Sequence, residues 1–533
     1  MAITFDNELS PYYIFRYKAA TSTYSANLAT LSVFDYFDDN LAAGDILYIG
    51  LAHSISGTGG SHPFHNIKFY VGTPLVADAI TLIWEYHSGS SWVEIPDVVD
   101  NTVNFSVTGE NWVTFPIPPN WWGGVGNNFH LIPGGPINVN NTYAIYVRCR
   151  VVSVTNPTEG GAQSTQTVKV KDYTIDVNNE SAATLTSIYN ADVAGGWGVL
   201  TKDGSDFVLN ANLKFTGTTS FTSKQEYLRV GTPTYPWSIW SPSSNASTQF
   251  GEKDSSGYGI NGSFIYYNTK SVSNGNAAAW YNLKMYGTKM WMTNVGFGNF
   301  VPAGVCEFID CIFDTWYLYM GQLISAGSVI RRCMLDFTYY WYLYTGNLEI
   351  DKVFLAKACS GILSGVGANN TINNVEFAST QQLHRYYACN VTLTNCTGLL
   401  NENIKSYSPS GTSDLWVKKR FTIDLKIQDV DGNPISGATV KCVDGQGTTV
   451  VDTTTDANGN IAQQTLTVYQ KLWEYPSWSV VETDYNPFTF TISKSGYQTK
   501  IIKYTMDRKR EEIEVLEKVL DYNLSRKARV LSQ

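Results

Sequence analysis

One six-residue phrase recurs in the middle of this 533-residue chain. It reads Phe308-Ile-Asp-Cys311-Ile-Phe313, Ile330-Arg-Arg-Cys333-Met-Leu335, Ile350-Asp-Lys-Val353-Phe-Leu355, Ile372-Asn-Asn-Val375-Glu-Phe377 and Leu393-Thr-Asn-Cys396-Thr-Gly398. The first positions (308, 330, 350, 372, 393) are 22, 20, 22 and 21 residues apart, and a sixth copy, Met292-Thr-Asn-Val295-Gly-Phe297, stands 16 before the first. A repeat this short cannot bury its apolar face alone, so successive copies must stack.

In each copy the fourth and sixth positions are apolar with a variable residue between them, as in a strand with one buried face. The first apolar position lies three before the fourth, which breaks the alternation and implies a bend. At the bend stand Asn294, Asp310, Asn374 and Asn395, residue types that tolerate left-handed backbone; Arg332 and Lys352 fit that reading poorly. No Leu-x-x-Leu-x-Leu frame is present, which excludes a leucine-rich repeat. Strand, bend and strand at this period read as a parallel β-helix whose inward core is Phe308, Cys311, Ile330, Cys333, Ile350, Val353, Ile372, Val375, Leu393 and Cys396. The pattern resembles the right-handed parallel β-helix of phage tailspikes and pectate-lyase-like proteins. Two sister phrases, Trp316-Tyr-Leu-Tyr319 and Trp341-Tyr-Leu-Tyr344, are expected to form aromatic ladders on another wall.

The flanks differ in character but share an all-β composition: 14% aromatic, with 34 Tyr and 15 Trp, and only 16% charged. Residues 1–162 carry aromatic and β-branched runs such as Ile46-Leu-Tyr-Ile-Gly and Tyr143-Ala-Ile-Tyr-Val-Arg-Cys-Arg between Gly, Pro and Asn turns, which predicts a β-sandwich. The order Trp84-Glu-Tyr-His-Ser-Gly-Ser-Ser-Trp92, a Pro-rich 115–122 and Tyr146-Val-Arg-Cys-Arg150 resembles sandwich modules of phage tail and baseplate proteins. Residues 163–225, strands alternating with turns, read as a linker and the start or cap of the solenoid, and 226–412 as the solenoid itself. Residues 413–533 open with the alternating Phe421-Thr-Ile-Asp-Leu-Lys-Ile-Gln, followed by Asp429-Val-Asp-Gly-Asn-Pro-Ile-Ser-Gly-Ala-Thr-Val-Lys-Cys442 and Phe488-Thr-Phe-Thr-Ile-Ser-Lys-Ser-Gly-Tyr. This region is similar to the carboxypeptidase-regulatory-like domain, a small β-sandwich, which the resemblance makes a spacer or binding accessory. The inserted Leu472-Trp-Glu-Tyr-Pro-Ser-Trp478 departs from that pattern, and the charged tail after Asp507 is read as a last strand.

A net charge of −9 and the absence of a Lys/Arg stripe give no reason to expect a nucleic-acid partner. The opening residues have neither a basic nor an apolar segment of a signal peptide, and no run approaches 18 apolar residues, so no membrane span is expected. Of the eight cysteines, three share one inward slot (311, 333, 396), which reads as small, buried, reduced side chains.

Catalytic candidates are few. A β-helix glycosidase or lyase needs two carboxylates on one wall, and Asp310 and Asp351 stand at neighbouring phases of the bend with Arg331 and Arg332 between them; a solvated corner with paired charges has the same pattern. His62 and His65, with His53 nearby, could hold a metal, though an x-Pro loop hosts such histidines equally well. Asp429-x-Asp431-Gly-Asn433 and Asp456-x-Asn458-Gly-Asn460 lack the twelfth-position glutamate of a calcium loop and read as turns. No cofactor is implied. The slot between the two inward positions holds Ile312, Met334 and Phe354 on successive copies, which puts large apolar groups outside, where another subunit would cover them. The expectation is a structural virion protein, a tail, spike or head-fibre component of a tailed phage or archaeal virus made in the host cytoplasm. It would work in assembly and host attachment, self-associating (a trimer favoured), contacting other virion proteins and engaging a host surface glycan. A tailspike-like polysaccharide depolymerase and a cell-surface or cell-wall adhesin are the alternatives.

Overall fold

A computed structural model describes the chain apart from residues 1–2, 6–7, 53–63, 89, 116–136, 164–165, 173, 232–238, 269–279, 294–298, 301, 316, 321–324, 338–339, 344–347, 357–360, 365–369, 387–388, 408–411 and 520–533. The fold is all-β, and among the described residues the one α-helix is Leu185–Gly195. Thr184 starts that helix through a capping box with Ser187, and Gly196 ends it in the left-handed conformation. The strands and turns expected over 163–225 leave no place for it. None of the described helices is long and apolar enough to cross a membrane. The chain divides into two compact units, Met1–Tyr319 and Met320–Gln533.

The first unit opens with two antiparallel sheets. One is six-stranded around Phe64–Val76, and the other seven-stranded around Ile46–Ala52 and Thr142–Thr155. Side chains of both sheets share one core: Ile14, Leu47, Ile49 and Val147 from the second meet Phe64, Ile67, Phe69 and Val113 from the first. Cross-core rings lock it, Tyr36 standing edge-on to Phe69 at 5.2 Å while its hydroxyl donates to the Tyr70 carbonyl. After this region the pairing becomes parallel. Thr174–Asn178 pairs with Asn212–Thr216, and Asp206–Leu209, Tyr227–Val230, Phe264–Asn268, Lys289–Thr293 and Ile312–Thr315 follow one another in a second parallel ladder. A third runs Ser220–Ser223, Ser247–Phe250, Leu283–Tyr286 and Glu307–Ile309.

The second unit repeats the pattern on three ladders. Ser328–Arg331 pairs with Leu348–Asp351, Val353–Leu355 with Val375–Glu376, and Tyr340–Leu343 with Gly361–Ser364, then Gln382–Tyr386 and Ile404–Tyr407. Register keeps like on like: Ile330 faces Ile350, and Ile372 faces Leu393. Trp341 pairs with Ile362 and is fully buried, so on this third wall its ring fills the interior. Trp316 lies outside the described residues.

The 15-residue strand Leu415–Asp429 joins two kinds of pairing. Its first half is a parallel rung on Val391–Thr394; its second runs parallel to Arg510–Leu516, and Gln464–Glu474 lies antiparallel along its other edge. A four-stranded antiparallel sheet, ordered Thr449–Thr454, Thr439–Val443, Phe488–Ser493 and Lys500–Tyr504, completes the unit. Arg385, fully buried, reaches from the parallel part to this end: its guanidinium lies 4.8 Å over the Trp473 ring and donates to Ser406 Oγ at 2.6 Å. Burial pulls its pKa down to about 10.

Candidate functional site

The bends come first, because they aim every side chain that follows. Asp310, Arg332, Lys352, Asn374 and Asn395 all have φ between 52° and 56°. Arg332 and Lys352 therefore adopt the left-handed conformation as fully as the asparagines, against the expectation that they would not. Backbone pairing with the next copy imposes it: the Arg332 amide donates to the Asp351 carbonyl at 3.0 Å, Asn374 to Thr394 at 2.9 Å and Asn395 to Arg420 at 2.9 Å.

The residue after each left-handed position turns inward, so Cys311, Cys333, Val353, Val375 and Cys396 are all at most 3% exposed. Thiols serve there as weak donors to the carbonyls crowded at the corner. Cys311 Sγ lies 3.2 Å from the Met285 oxygen and 3.3 Å from that of Ile309, and Cys396 Sγ lies 3.4 Å from that of Ile372. Burial pushes the Cys396 thiol up to about 12, which keeps it protonated and unreactive.

The register also corrects the sixth copy. Met285 faces Phe308 and Met290 faces Phe313, so the preceding copy is Met285-Tyr-Gly-Thr288-Lys-Met290, 23 residues before the first (308 − 285). Gly287 (φ 55°) holds the bend, and Thr288 holds the cysteine slot with its hydroxyl 3.2 Å from the Tyr286 carbonyl. Most of the phrase from Met292 to Phe297 lies outside the described residues.

Asp310 and Asp351 are acceptors at these corners. Asp310 Oδ2 accepts the Gly259 amide at 2.6 Å. Asp351 accepts from Asn374 Nδ2, and its other oxygen lies 3.7 Å from Arg331 Nε, while Arg331 also donates to Glu349. The two carboxylates belong to different compact units, each engaged within its own. A third acid, Glu307, is pushed up by burial but more strongly held down by donors, Tyr286 Oη at 2.5 Å and Lys253 Nζ at 2.9 Å, for a net lowered pKa. Each therefore serves as a fixed hydrogen-bond acceptor.

His65 is buried with its ring 5.7 Å from that of Phe5, and His62 and His53 lie outside the described residues. Among the described residues no three His, Cys, Asp or Glu side chains converge as a metal site needs. Asp429 and Asp456 each turn a carboxylate oxygen onto two backbone amides of their own loop, Asn433 and Asp431 in one, Asn458 and Asn460 in the other.

The outward positions form rows. In the first unit Tyr227, Phe264, Lys289 and Ile312 stand in register on successive strands, with Tyr266 and Trp291 in the row beside them. Tyr227 and Phe264 stack at 4.5 Å with planes 10° apart, and Tyr266 meets Trp291 at 5.3 Å. Trp291 is 41% exposed and Ile312 36%. In the second unit Met334 faces Phe354, 42% exposed, and Phe354 faces Glu376. Sequence reasoning named Ile312, Met334 and Phe354 but missed the aromatic members, because the spacing is longer there: 37 residues from Tyr227 to Phe264 and 25 from Phe264 to Lys289. The run Phe264-Ile-Tyr-Tyr267 is apolar or aromatic throughout, so the alternation of half-buried and buried positions shows only in the fold.

Compared with known proteins, the chain matches no family model, no curated protein and no solved structure.

Proposed function

We propose that the chain is a structural virion protein, a tail, spike or head-fibre component of a tailed phage or archaeal virus, working in particle assembly and host-surface attachment. In this reading the parallel rungs are coils of a right-handed parallel β-helix, flanked by an N-terminal β-sandwich and a carboxypeptidase-regulatory-like sandwich. Copies of the chain, three in the favoured arrangement, pack through the outward rows.

The observation that carries the reading is the outward row itself. Large apolar side chains stand in register on an external sheet face, Tyr227 beside Phe264 and Met334 beside Phe354, with Ile312 next to Lys289; water gains nothing from them and a second copy would cover them. Sedimentation equilibrium of the full chain tests self-association: an oligomer is expected, weakened by about tenfold or more when Ile312 and Phe354 are both changed to Lys. A wild-type monomer at every concentration would remove the assembly reading. Mass spectrometry of purified particles carrying the chain's peptides tests the virion assignment directly.

A further inference from the structure

We propose that the outer face of the seven-stranded sheet in the first unit binds an uncharged saccharide chain, which names a ligand and a place for the attachment role and rests on that reading for its biological setting.

The strand registers lay out this face in three rows. In the first, Tyr13 faces Gly50, which faces Tyr146, and farther along His87 faces Trp92. In the second, Phe15, Tyr48, Arg148, Glu85 and Glu94 follow one another across five strands. In the third, Tyr24 faces Tyr17, Tyr17 faces Ile46, and Ile46 faces Arg150. One half of the face is thus aromatic and the other ionic.

The aromatic half is rigid. A side chain at Gly50 would put its Cβ 2.4 Å from the Tyr146 ring, so glycine makes the space in which that ring lies. Phe15, Tyr48 and Tyr146 form a buried floor, at most 5% exposed, and burial holds Tyr48 protonated with a pKa of about 12. Above it Tyr13, Tyr17 and Trp92 are half-buried and Tyr24 is 38% exposed. Tyr24 lies 4.9 Å from Tyr17 and 5.9 Å from Tyr48, ring to ring. Such rings offer apolar faces to the C–H faces of a pyranose, with little conformational entropy left to lose.

The ionic half is equally fixed. Glu85, 5% exposed, accepts from Arg148 Nε at 2.8 Å and from Arg150 Nε and Nη2 at 3.0 and 3.1 Å. The Arg148 guanidinium lies 4.2 Å over the Trp92 ring, whose edge meets His87 at 5.4 Å. Each guanidinium has about five N–H donors; among the described residues Glu85 takes one from Arg148 and two from Arg150, the Tyr48 hydroxyl engages Arg148 as well, and the rest of these planar donors beside the rings suit hydroxyl groups.

Charge selects among ligands. Arg148 and Arg150 give +2, and Glu85 and Glu94 give −2, so the face is neutral (2 − 2 = 0). His87 adds nothing near neutral pH, since burial and then Arg148 lower its pKa. A uronic-acid polymer or a basic peptide finds no complementary field here, whereas an uncharged polyol with apolar ring faces matches both halves.

The test uses the full chain and immobilised oligosaccharides of glucose, mannose, galactose and N-acetylglucosamine, with uronic-acid oligomers and a protein extract of host envelopes as further arms. Saturable binding to at least one uncharged oligomer is expected, with Trp92→Ala weakening it by about tenfold or more and Tyr24→Ala, at an exposed ring, by about threefold or more. Thermal melting of each variant separates loss of the site from loss of the fold, and Tyr24→Ala serves where Trp92→Ala does not fold. Binding to no saccharide, preference for the acidic oligomers, capture only by envelope protein, or affinity unmoved in both variants overturns the inference. Sedimentation of the same samples reports on self-association independently, so failure here is distinguishable from failure of the assembly reading.

Discussion

The parallel rungs and the N-terminal antiparallel sheets place their side chains by different rules. In the rungs a residue's role follows from its distance to the bend. Ile330 and Ile350 stack because each stands two residues before a left-handed position, and the residue after that position always turns inward. In the antiparallel sheets a role depends on which distant strand lies alongside: Tyr146 fills the space over Gly50, 96 residues earlier (146 − 50), and Tyr13 closes the same row from the other side. Local spacing encodes packing in the first region, and long-range register encodes it in the second. Tolerance to substitution should divide along the same line, slot by slot in the rungs and row by row in the sheets.

The sharpest way to break that distinction is one substitution placed in two slots. Ile372→Asp puts an unpaired carboxylate at a fully buried position and is expected to destabilise the second unit by roughly 4 kcal/mol. At a concentration low enough to keep the chain monomeric, Phe354→Asp, on an outward position 42% exposed, is expected to change stability by about 0.5 kcal/mol or less. Hydrogen exchange of the amides between 348 and 420 under increasing urea measures both. Equal losses would mean that the slot does not determine the role.

In the antiparallel region the corresponding probe is Glu85. Burial raises its pKa, but hydrogen bonds from Arg150 and Arg148 outweigh that and leave it below the ordinary glutamate value. A carboxylate with a depressed folded pKa contributes stability above its unfolded pKa, and that contribution is lost as pH falls through the folded value. Glu85→Gln should therefore cost about 3 kcal/mol at neutral pH, leaving two guanidiniums without their carboxylate, and the gap to wild type should narrow as pH falls below the ordinary glutamate range and through the lowered folded value. Melting curves of both proteins across that range test it. A gap that stays constant with pH would show that Glu85 acts by packing alone.

The same contrast explains what could be read in advance. The inward slots from Phe308 to Cys396 and the outward Ile312 and Phe354 stand in the sequence as spaced letters, because one bend sets them all. The copy before Phe308 escaped notice since glycine, threonine and methionine replace the usual types while keeping its geometry: Gly287 bends, and Thr288 Oγ1 does the work of a cysteine thiol. Arg332 misleads because its intrinsic preference yields to a ladder hydrogen bond, its amide donating to the Asp351 carbonyl. The helix Leu185–Gly195 hid behind a segment rich in turn-forming residues, its start marked only by the Thr184 and Ser187 box. The aromatic and ionic face of the N-terminal sheet had no local signature, since its rows join strands whose order in space differs from their order in the chain.

The smallest effects separate two reasons for asparagine at the bend. Asn395 tolerates the left-handed backbone, and it also exchanges hydrogen bonds with Thr422, accepting its amide at 2.9 Å and donating to its hydroxyl at 3.1 Å. Asn395→Ala should lose both benefits, a cost of about 2 kcal/mol. Lys352 holds the same conformation from an exposed position, so Lys352→Asn should stabilise the second unit by about 0.5 kcal/mol if backbone tolerance has value of its own there. Urea unfolding of the two variants decides between the contributions. If Lys352→Asn changes nothing while Asn395→Ala retains its full cost, the worth of the bend residue lies in its bonds to the neighbouring strand, and backbone preference, like residue identity at Arg332, is subordinate to the stack.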